Sequence, residues 1–352
     1  MSRIQLSMDY LVPKISAEKA KLLSMDELYN LIKQKTIEEF LAKLRNTKYK
    51  EVILKHKPIT DEEIEYIIKE YLILTYIKFL KTSPPSIRDY LLQKFLKFEI
   101  ENIKKLVRLK IQDFPYSEIR NLIHMTPEKY LGREDLFNRL MHAGSLLELI
   151  HMINFEFYSD PLEEALHVFQ EDKSVYLFDV LLDLKYFENN LDQSTKLNSK
   201  DQKFVQKALA LEYDIYNILT IFRSKELELK PHQIYRLIFI DERINSEEFY
   251  ENIITSKEFK GSLNILENAY NEISSEEINN ISELKNFFQE KRLNFYLTTS
   301  KERDFNINYL ISIIALLEIE KDNLFKILYG IEYKINPNAI KNNLIVSKGN
   351  FK

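Results

Sequence analysis

Apolar residues recur at helical spacing along almost the whole chain. Within residues 62–80 they fall at Ile64, Ile67, Ile68, Tyr71, Leu74 and Ile77. Steps of three and four residues place such side chains on one face of an α-helix. No alternation of apolar and polar residues persists long enough to indicate a β-strand. The pattern therefore predicts an all-α fold.

Capping residues indicate where several of these helices begin and end. Thr60 precedes an acidic first turn, and Asp160 with Pro161 marks another helix start. Polar N-caps, early acidic residues and a first-turn proline all favour helix N-termini. The polar segment 189–199 predicts a loop between two helices.

One helix pattern occurs three times. An acidic residue stands three positions before an asparagine, and a proline follows after the helix. The acid and asparagine pairs are Glu99 and Asn102, Asp214 and Asn217, and Glu320 and Asn323. The three asparagines are 115 and 106 residues apart.

A second module repeats in the same order. Residues 28–49 match residues 136–157 and, less closely, residues 249–270, with starts 108 and 113 residues apart. Two modules that share a period near 110 residues predict three repeated helical domains related by an approximate three-fold axis. Their predicted bounds are 1–125, 126–240 and 241–352, the last with a short C-terminal tail. We expect a leading helix pair, a longer middle helix, the acid–asparagine helix and a short final helix in each.

Composition narrows the possible functions. The chain has 352 residues, with 50 lysines and arginines against 54 aspartates and glutamates, so its formal net charge is −4. Mixed charge argues against nucleic-acid binding, which would favour a basic face. Only 5 glycines leave little material for phosphate-binding loops, and the absence of cysteine excludes disulfides and thiolate metal sites. No uncharged apolar run reaches the ~20 residues of a membrane-spanning helix.

Two patterns resemble metal-binding motifs. Glu148 with His151, and Glu164 with His167, have the Glu-x-x-His spacing of di-iron bundles. No helix lies between the pairs to supply a bridging carboxylate, so we interpret them as coincidence in a glutamate-rich protein. The second pattern is the acidic run 61–65, whose carboxylates could bind a metal ion. We interpret it as a helix N-terminus, where acidic side chains favour the macrodipole. The sequence predicts no catalytic residue, no cofactor, no metal and no nucleotide-binding loop.

The repeated acidic residues lie within apolar stripes. At about 100° per residue, Glu99 falls between Leu106 and Ile103 on the helix, and Asp214 and Glu320 occupy the same place on theirs. A carboxylate there is costly unless it is paired or borders water. Two interpretations stay open: a repeated helix-packing hydrogen bond, or three acids that face a central socket and attract a basic shaft end.

Basic residues also recur on the acid–asparagine helix, but only in two copies. They are Arg108 and Lys110 in the first copy, and Arg223 and Lys225 in the second. The third copy has Tyr329 and Ile331 at these positions. Any role of these positive charges therefore holds for two repeats at most.

The triplicated acid–asparagine helix with its trailing proline resembles the C subunit of archaeal and bacterial A/V-type rotary ATPases, the family to which the d subunit of the eukaryotic vacuolar ATPase belongs. The leading module with Leu41, Leu44, Thr47 and Tyr49, and the segment 183–187, are similar to that family as well. The resemblance extends from Tyr10 to about Leu344. It implies a funnel of three pseudo-symmetric helical domains that sits on the membrane proteolipid ring and receives the end of the rotor shaft.

The resemblance also implies a function. The chain would be a non-catalytic central-stalk (rotor) subunit that couples the shaft to the proteolipid c-ring during ATP-linked proton or sodium transport. Its partners would be the D- and F-type shaft subunits, the c-ring and the rest of the complex, with neither nucleic acid nor nucleotide. It would be a peripheral subunit at the cytoplasmic face of the membrane. The alternatives are a generic helical-repeat scaffold for protein assembly and an all-α metal-dependent enzyme.

Overall fold

A computed structural model describes residues 8–56, 60–154, 157–301 and 306–347. In these ranges the secondary structure is α-helical, with turns and short irregular connections and no β-strand. The predicted all-α fold is confirmed. Within these ranges no helix is both long enough and apolar enough to cross a membrane.

The helices follow one another along the chain with short connections. In order they are α1 (Met8–Lys19), α2 (Met25–Ile32), α3 (Ile37–Leu44), α4 (Lys50–His56), α5 (Asp61–Thr82), α6 (Pro85–Phe95), α7 (Lys97–Ile111), α8 (Tyr116–Leu122), α9 (Met125–Leu131), α10 (Glu134–Met141), α11 (Leu146–Met152), α12 (Ser159–Asp172), α13 (Tyr176–Ser194), α14 (Ser199–Glu226), α15 (Pro231–Tyr235), α16 (Glu247–Thr255), α17 (Phe259–Ala269), α18 (Ile281–Thr299), α19 (Ile307–Glu332) and α20 (Pro337–Asn343).

The chain divides into two compact units. The first unit combines both ends of the chain, residues 1–88 and 282–352, and the second contains residues 89–281. The divisions fall within α6 and at the start of α18. The three-repeat bounds at residues 125 and 240 come from the sequence pattern and stay a prediction.

The expected order of helices occurs three times along the chain. The leading pairs are α2–α3, α10–α11 and α16–α17, and the middle helices are α5, α13 and α18. The acid–asparagine helices are α7, α14 and α19, each followed by a short helix, α8, α15 or α20. The three-fold axis and the funnel shape stay predictions.

Capping explains the helix starts. At α5 the amide of Glu63 donates to the Thr60 hydroxyl (3.3 Å), and the amide of Thr60 donates to the Glu63 carboxylate (3.0 Å). This capping box satisfies two amides that the first turn cannot pair internally. The expected start near Asp160 is also close, since α12 begins at Ser159.

The predicted loop at 189–199 is wrong over its first half. The helix α13 continues to Ser194, and only 195–198 form a turn before α14. Asn190 and Leu191 are fully buried, and the Asn190 amide donates to the Tyr186 carbonyl within the helix (2.9 Å). Burial of these side chains outweighs the low helix propensity of asparagine.

Each unit has a core that holds a leading pair against an acid–asparagine helix. In the first unit, Phe40 of α3 and Ile64 of α5 pack with Leu324 and Leu328 of α19. In the second unit, residues of α10 to α13 share a core with α7. Burying each large apolar side chain contributes roughly 1.5–3 kcal/mol, so these cores fix the surroundings of the repeated acids.

The three acid–asparagine helices end in the same way. The eleventh residue after each asparagine has a left-handed backbone: Asp113 (φ 55°), Glu228 (φ 56°) and Lys334 (φ 53°). The amide that follows donates to the carbonyl five residues earlier, at 3.0, 3.0 and 2.8 Å. This is a Schellman ending. None of the three residues is glycine, although a left-handed residue other than glycine costs roughly 1–2 kcal/mol.

We therefore expect Glu228→Gly and Lys334→Gly each to raise the free energy of unfolding by about 0.5–1 kcal/mol. Relief of the left-handed strain exceeds the extra unfolded-chain entropy of glycine. The urea midpoint, at unchanged slope, measures this change. As a control, Lys203→Gly at an exposed position inside α14 should lower stability by about 1 kcal/mol. A loss of stability in all three variants would contradict the prediction.

Candidate functional site

The three repeated asparagines make the same pair of hydrogen bonds. Each side-chain amide donates to the carbonyl, and accepts from the amide, of the residue 22 positions later. The donated and accepted bonds are 2.8 and 3.1 Å for Asn102 with His124, 2.5 and 2.8 Å for Asn217 with Phe239, and 3.0 and 2.7 Å for Asn323 with Ile345. We call each of these contacts an asparagine clamp.

The clamp explains why asparagine occurs at this position. After the left-handed turn the chain enters the short helix and then returns to the acid–asparagine helix, where its backbone is buried. A buried amide and carbonyl both need partners, and the asparagine side chain supplies one donor and one acceptor on adjacent atoms. Each clamp therefore ties the end of the short helix to the helix before it.

Glu99, the first repeated acid, is fully buried and strongly paired. Its two carboxylate oxygens each accept a hydrogen bond of 2.5 Å from the Arg133 guanidinium at the start of α10. The Tyr158 hydroxyl donates to the same carboxylate at 2.6 Å. These contacts join α7 to the leading helices of the second predicted repeat, and we call them the Glu99 joint.

A second buried carboxyl, Glu128, adjoins this joint. It is fully buried, and the Asn102 amide donates to one of its oxygens at 2.7 Å. Burial first, and then the neighbouring charge of Glu99, raise the pKa of Glu128 to about 9. At neutral pH Glu128 is therefore protonated.

Asp214, the second repeated acid, accepts hydrogen bonds from two tyrosines. The hydroxyl of Tyr250 in α16 donates to one oxygen, and the Tyr270 hydroxyl donates to the other at 3.0 Å. Burial raises the pKa of Asp214, and the two hydroxyl donors oppose that shift. These contacts, the Asp214 joint, connect α14 with the leading helices of the third predicted repeat.

Glu320, the third repeated acid, binds residues of the first predicted repeat. It accepts from the Tyr49 hydroxyl at 2.8 Å and from the Leu23 backbone amide at 2.6 Å, and it forms a 2.7 Å ion pair with Lys48. The side chains of Lys48 and Glu320 are only 1% and 5% exposed. Burial lowers the pKa of Lys48, and the charge of Glu320 opposes that shift. We call this set the Glu320 joint.

The three joints share a rule that the sequence did not reveal. Each repeated acid accepts a tyrosine hydroxyl from the next predicted repeat, from within its leading module or from the residue directly after it, and the third acid binds the first module. The acids therefore make the contacts required by the packing interpretation. Their position around a central socket stays a prediction.

The repeated modules of the sequence indicate only some of the tyrosines that donate to the acids. Tyr49 and Tyr270 occupy matching positions of the leading module, where the second copy has Phe157. The donor in that copy is the next residue, Tyr158. A shift of one residue removes the match, so the aligned repeats alone could not identify the donors.

Two of the repeated basic residues donate hydrogen bonds to the C-terminal ends of helices. The Lys110 ammonium donates to the carbonyls of Met141 (3.0 Å) and Ala143 (2.5 Å) at the end of α10. The Lys225 ammonium donates to the carbonyls of Ile253 (2.8 Å) and Ser256 (2.5 Å) at the end of α16. A cation at a helix C-terminus satisfies free carbonyls and favours the macrodipole.

The remaining basic positions are more exposed. Arg108 pairs with Asp179 of α13 through two 2.9 Å hydrogen bonds, and Arg223 is exposed. In the third copy, Ile331 replaces the capping lysine and packs in the core of the first unit. An apolar contact therefore takes the place of the charged one.

The two Glu-x-x-His pairs do not come together as a site. The Glu148 carboxylate accepts from the Gly144 amide at 2.6 Å, and Glu164 pairs with Arg236 at 3.1 Å. His151 and His167 are exposed. Over the residues that the structure covers, no group of three or more histidines and carboxylates could hold a metal ion.

Comparison with known proteins gives consistent matches. A family model described as ATP synthase (C/AC39) subunit matches residues 11–343. The C subunit of the A-type ATP synthase of Methanocaldococcus jannaschii is 23% identical over 348 residues, covering 96% of this chain and 86% of that protein. The protein of the same name from Methanosarcina acetivorans is 26% identical over 278 residues, 70% of this chain and 72% of its own length. That of Thermococcus kodakarensis is 24% identical over 226 residues, 64% and 59% of the two chains.

The protonated state of Glu128 predicts a specific pH dependence. Its pKa of about 9 in the folded protein lies far above that of an unfolded glutamate. From about pH 4.5 to about pH 9 the folded state holds a proton that the unfolded state has lost, so stability falls as pH rises through this window. Glu128→Gln keeps a donor and an acceptor without titrating. We expect this variant to exceed the parent by about 1–3 kcal/mol at pH 8 and to match it near pH 5.

Denaturant unfolding at several pH values measures the difference. Glu118→Gln, which removes an exposed carboxyl one helix away, is the matched control and should follow the parental pH profile. Parallel profiles for the parent and Glu128→Gln between pH 5 and 9 would contradict the assignment.

Proposed function

The chain belongs to the ATP synthase (C/AC39) subunit family, and from that premise we propose that it is a non-catalytic central-stalk subunit. In this role it couples the rotor shaft to the membrane proteolipid ring during ATP-linked transport of protons or sodium ions. As a family member it is a subunit of an A/V-type ATPase and works within that complex. The observation that supports coupling best is the set of three joints, through which each predicted repeat binds the next.

A coupling subunit has to pass force between partners without internal sliding. Apolar contacts are non-directional, whereas hydrogen bonds depend steeply on distance and angle. Every acid–asparagine helix is fixed twice, by a clamp to its own short helix and by a joint to the next leading module. This double fixation supports a stiff body better than apolar packing alone.

The same features favour coupling over a generic scaffold. A scaffold needs a surface for its partners, but it does not need buried polar contacts between all of its repeats. Family membership also argues for work inside a rotary complex. We propose the D- and F-type shaft subunits and the proteolipid c-ring as partners, and the cytoplasmic face of the membrane as the location.

We further propose that the chain has no active site of its own. The repeated acids form hydrogen bonds between helices. Glu148 accepts from the Gly144 amide, and Glu164 pairs with Arg236. ATP chemistry then belongs to other subunits of the complex.

Co-purification tests the coupling role. A tagged chain expressed in its own host and recovered from membranes in mild detergent should bring the proteolipid and the shaft subunits with it, because it lies between them. Membranes from cells with the untagged chain are the control. Recovery of other proteins without the proteolipid and shaft would favour the scaffold and contradict the proposal.

Calorimetry tests the absence of a nucleotide site. The isolated chain should show no heat of binding with ATP or ADP in the presence of magnesium, since its few glycines supply no phosphate loop. The assembled complex is the positive control. Saturable binding of nucleotide by the isolated chain would overturn this part of the proposal.

A further inference from the structure

The Glu320 joint differs from the other two in the length of chain between its partners. Glu99 binds Arg133 and Tyr158, which lie 34 and 59 residues later. Asp214 binds Tyr250, which lies 36 residues later. In both of these joints a short stretch of chain also links the two parts.

Glu320 instead binds residues from the opposite end of the chain. Tyr49 and Leu23 precede it by 271 and 297 residues. No short stretch of chain accompanies this joint. Any force that passes from the third predicted repeat to the first at this point passes through non-covalent contacts.

The contacts around Glu320 are buried, and they include hydrogen bonds that depend on distance and angle. The Lys48 ammonium lies 5.1 Å from the centre of the Tyr71 ring and 5.6 Å from that of Tyr49. The Tyr71 hydroxyl donates to Glu18, which is itself buried, at 2.6 Å. Separating Lys48 from Glu320 would leave the Lys48 ammonium without its carboxylate in an apolar interior, where desolvation of a charge is costly. The joint therefore resists small displacements strongly.

The apolar contacts beside the joint cannot replace it. Leu28 and Leu31 of α2 and Phe40 of α3 pack against α19. Such contacts stabilise the arrangement through the area that they bury, and that free energy has no preferred direction. The polar contacts add a defined distance and angle between α19 and the leading module.

From these contacts we infer that the Glu320 joint sets the largest load that the chain transmits before its third repeat slips against its first. Glu320, Lys48 and Tyr49 are positioning residues for coupling, and none of them takes part in ATP chemistry. The inference rests on the proposed coupling function.

The test compares two joints in the whole complex. Lys48→Met with Glu320→Gln removes the ion pair without leaving one charge unpaired, a change that commonly preserves folding. Glu99→Gln with Arg133→Met is the control, because it removes the ion pair of another joint at a place where the chain also links the parts. Tyr213→Phe is a second control. It removes a hydroxyl that donates to the Phe187 carbonyl inside one predicted repeat.

Two quantities are measured on the complex rebuilt in lipid vesicles. One is the rate of ATP hydrolysis with the ion gradient collapsed by an ionophore, which reports the unloaded motor. The other is the largest gradient reached at fixed ATP, which is the load at which the rotor stalls or slips. Vesicles with a pH indicator and vesicles with a sodium indicator are run in parallel.

We expect the Lys48→Met, Glu320→Gln complex to hydrolyse ATP within about twofold of the parent without a gradient, and its largest gradient to fall at least about twofold. The Tyr213→Phe control should keep the parental gradient, and the Glu99 joint variant should lose much less of it than the Glu320 joint variant, because the chain also links the two parts there. Tyr49→Phe, which removes one hydroxyl, should show a smaller fall in the same direction. It takes the place of the double variant if the latter does not assemble.

An unchanged gradient in the Glu320 joint variants overturns the inference, and so does an equal fall in the Glu99 joint control. A destabilised fold would lower assembly and both activities together, and would not single out the loaded state. If complexes prepared without the chain reach the parental gradient, the proposed function fails and the inference fails with it. If only the joint variants behave like the parent, the coupling function stands and the inference alone is wrong.

Discussion

A carboxylate that lies among apolar helices must receive hydrogen bonds, and this chain meets that requirement three times, at Glu99 and Glu320, which are buried, and at Asp214, which is half-buried. Glu99 receives them from an arginine and a tyrosine, Asp214 from two tyrosines, and Glu320 from a tyrosine and a backbone amide, with Lys48 as its ion-pair partner. The acid and one tyrosine hydroxyl are common to all three. The other donors vary, because the free-energy penalty falls on the unpaired carboxylate and any well-placed donor removes it.

The sequence predicts one side of these contacts well and the other poorly. The acids and asparagines could be identified because their spacing repeats and their place within an apolar stripe is unusual. Their partners could not, because Lys48 and Arg133 follow no shared period and occupy no matching positions in the repeats. The helix through Asn190 was missed for a related reason. The polar composition of the segment indicated a loop, whereas burial of Asn190 and Leu191 stabilises a helix there.

The third repeat shows how a duplicated structure changes its contacts while it keeps its backbone. Lys110 and Lys225 reach the end of a neighbouring leading helix, but Ile331 at the same position enters a core. The left-handed turn at Lys334 and the clamp at Asn323 are nevertheless retained. Backbone geometry is therefore more constant than side-chain chemistry across the three copies.

The asparagine clamp also bears on the order of folding. Each clamp closes a loop of 22 residues, whereas the Glu320 joint closes one of 271 residues or more. Closing a longer loop loses more chain entropy, and contacts between distant residues form more slowly. A helix end, its turn and its short helix can therefore settle soon after synthesis. The leading module of the first predicted repeat can meet Glu320 only after α19 has been synthesised, so a product truncated before α19 would retain the clamps of Asn102 and Asn217 but leave Lys48 without its ion-pair partner.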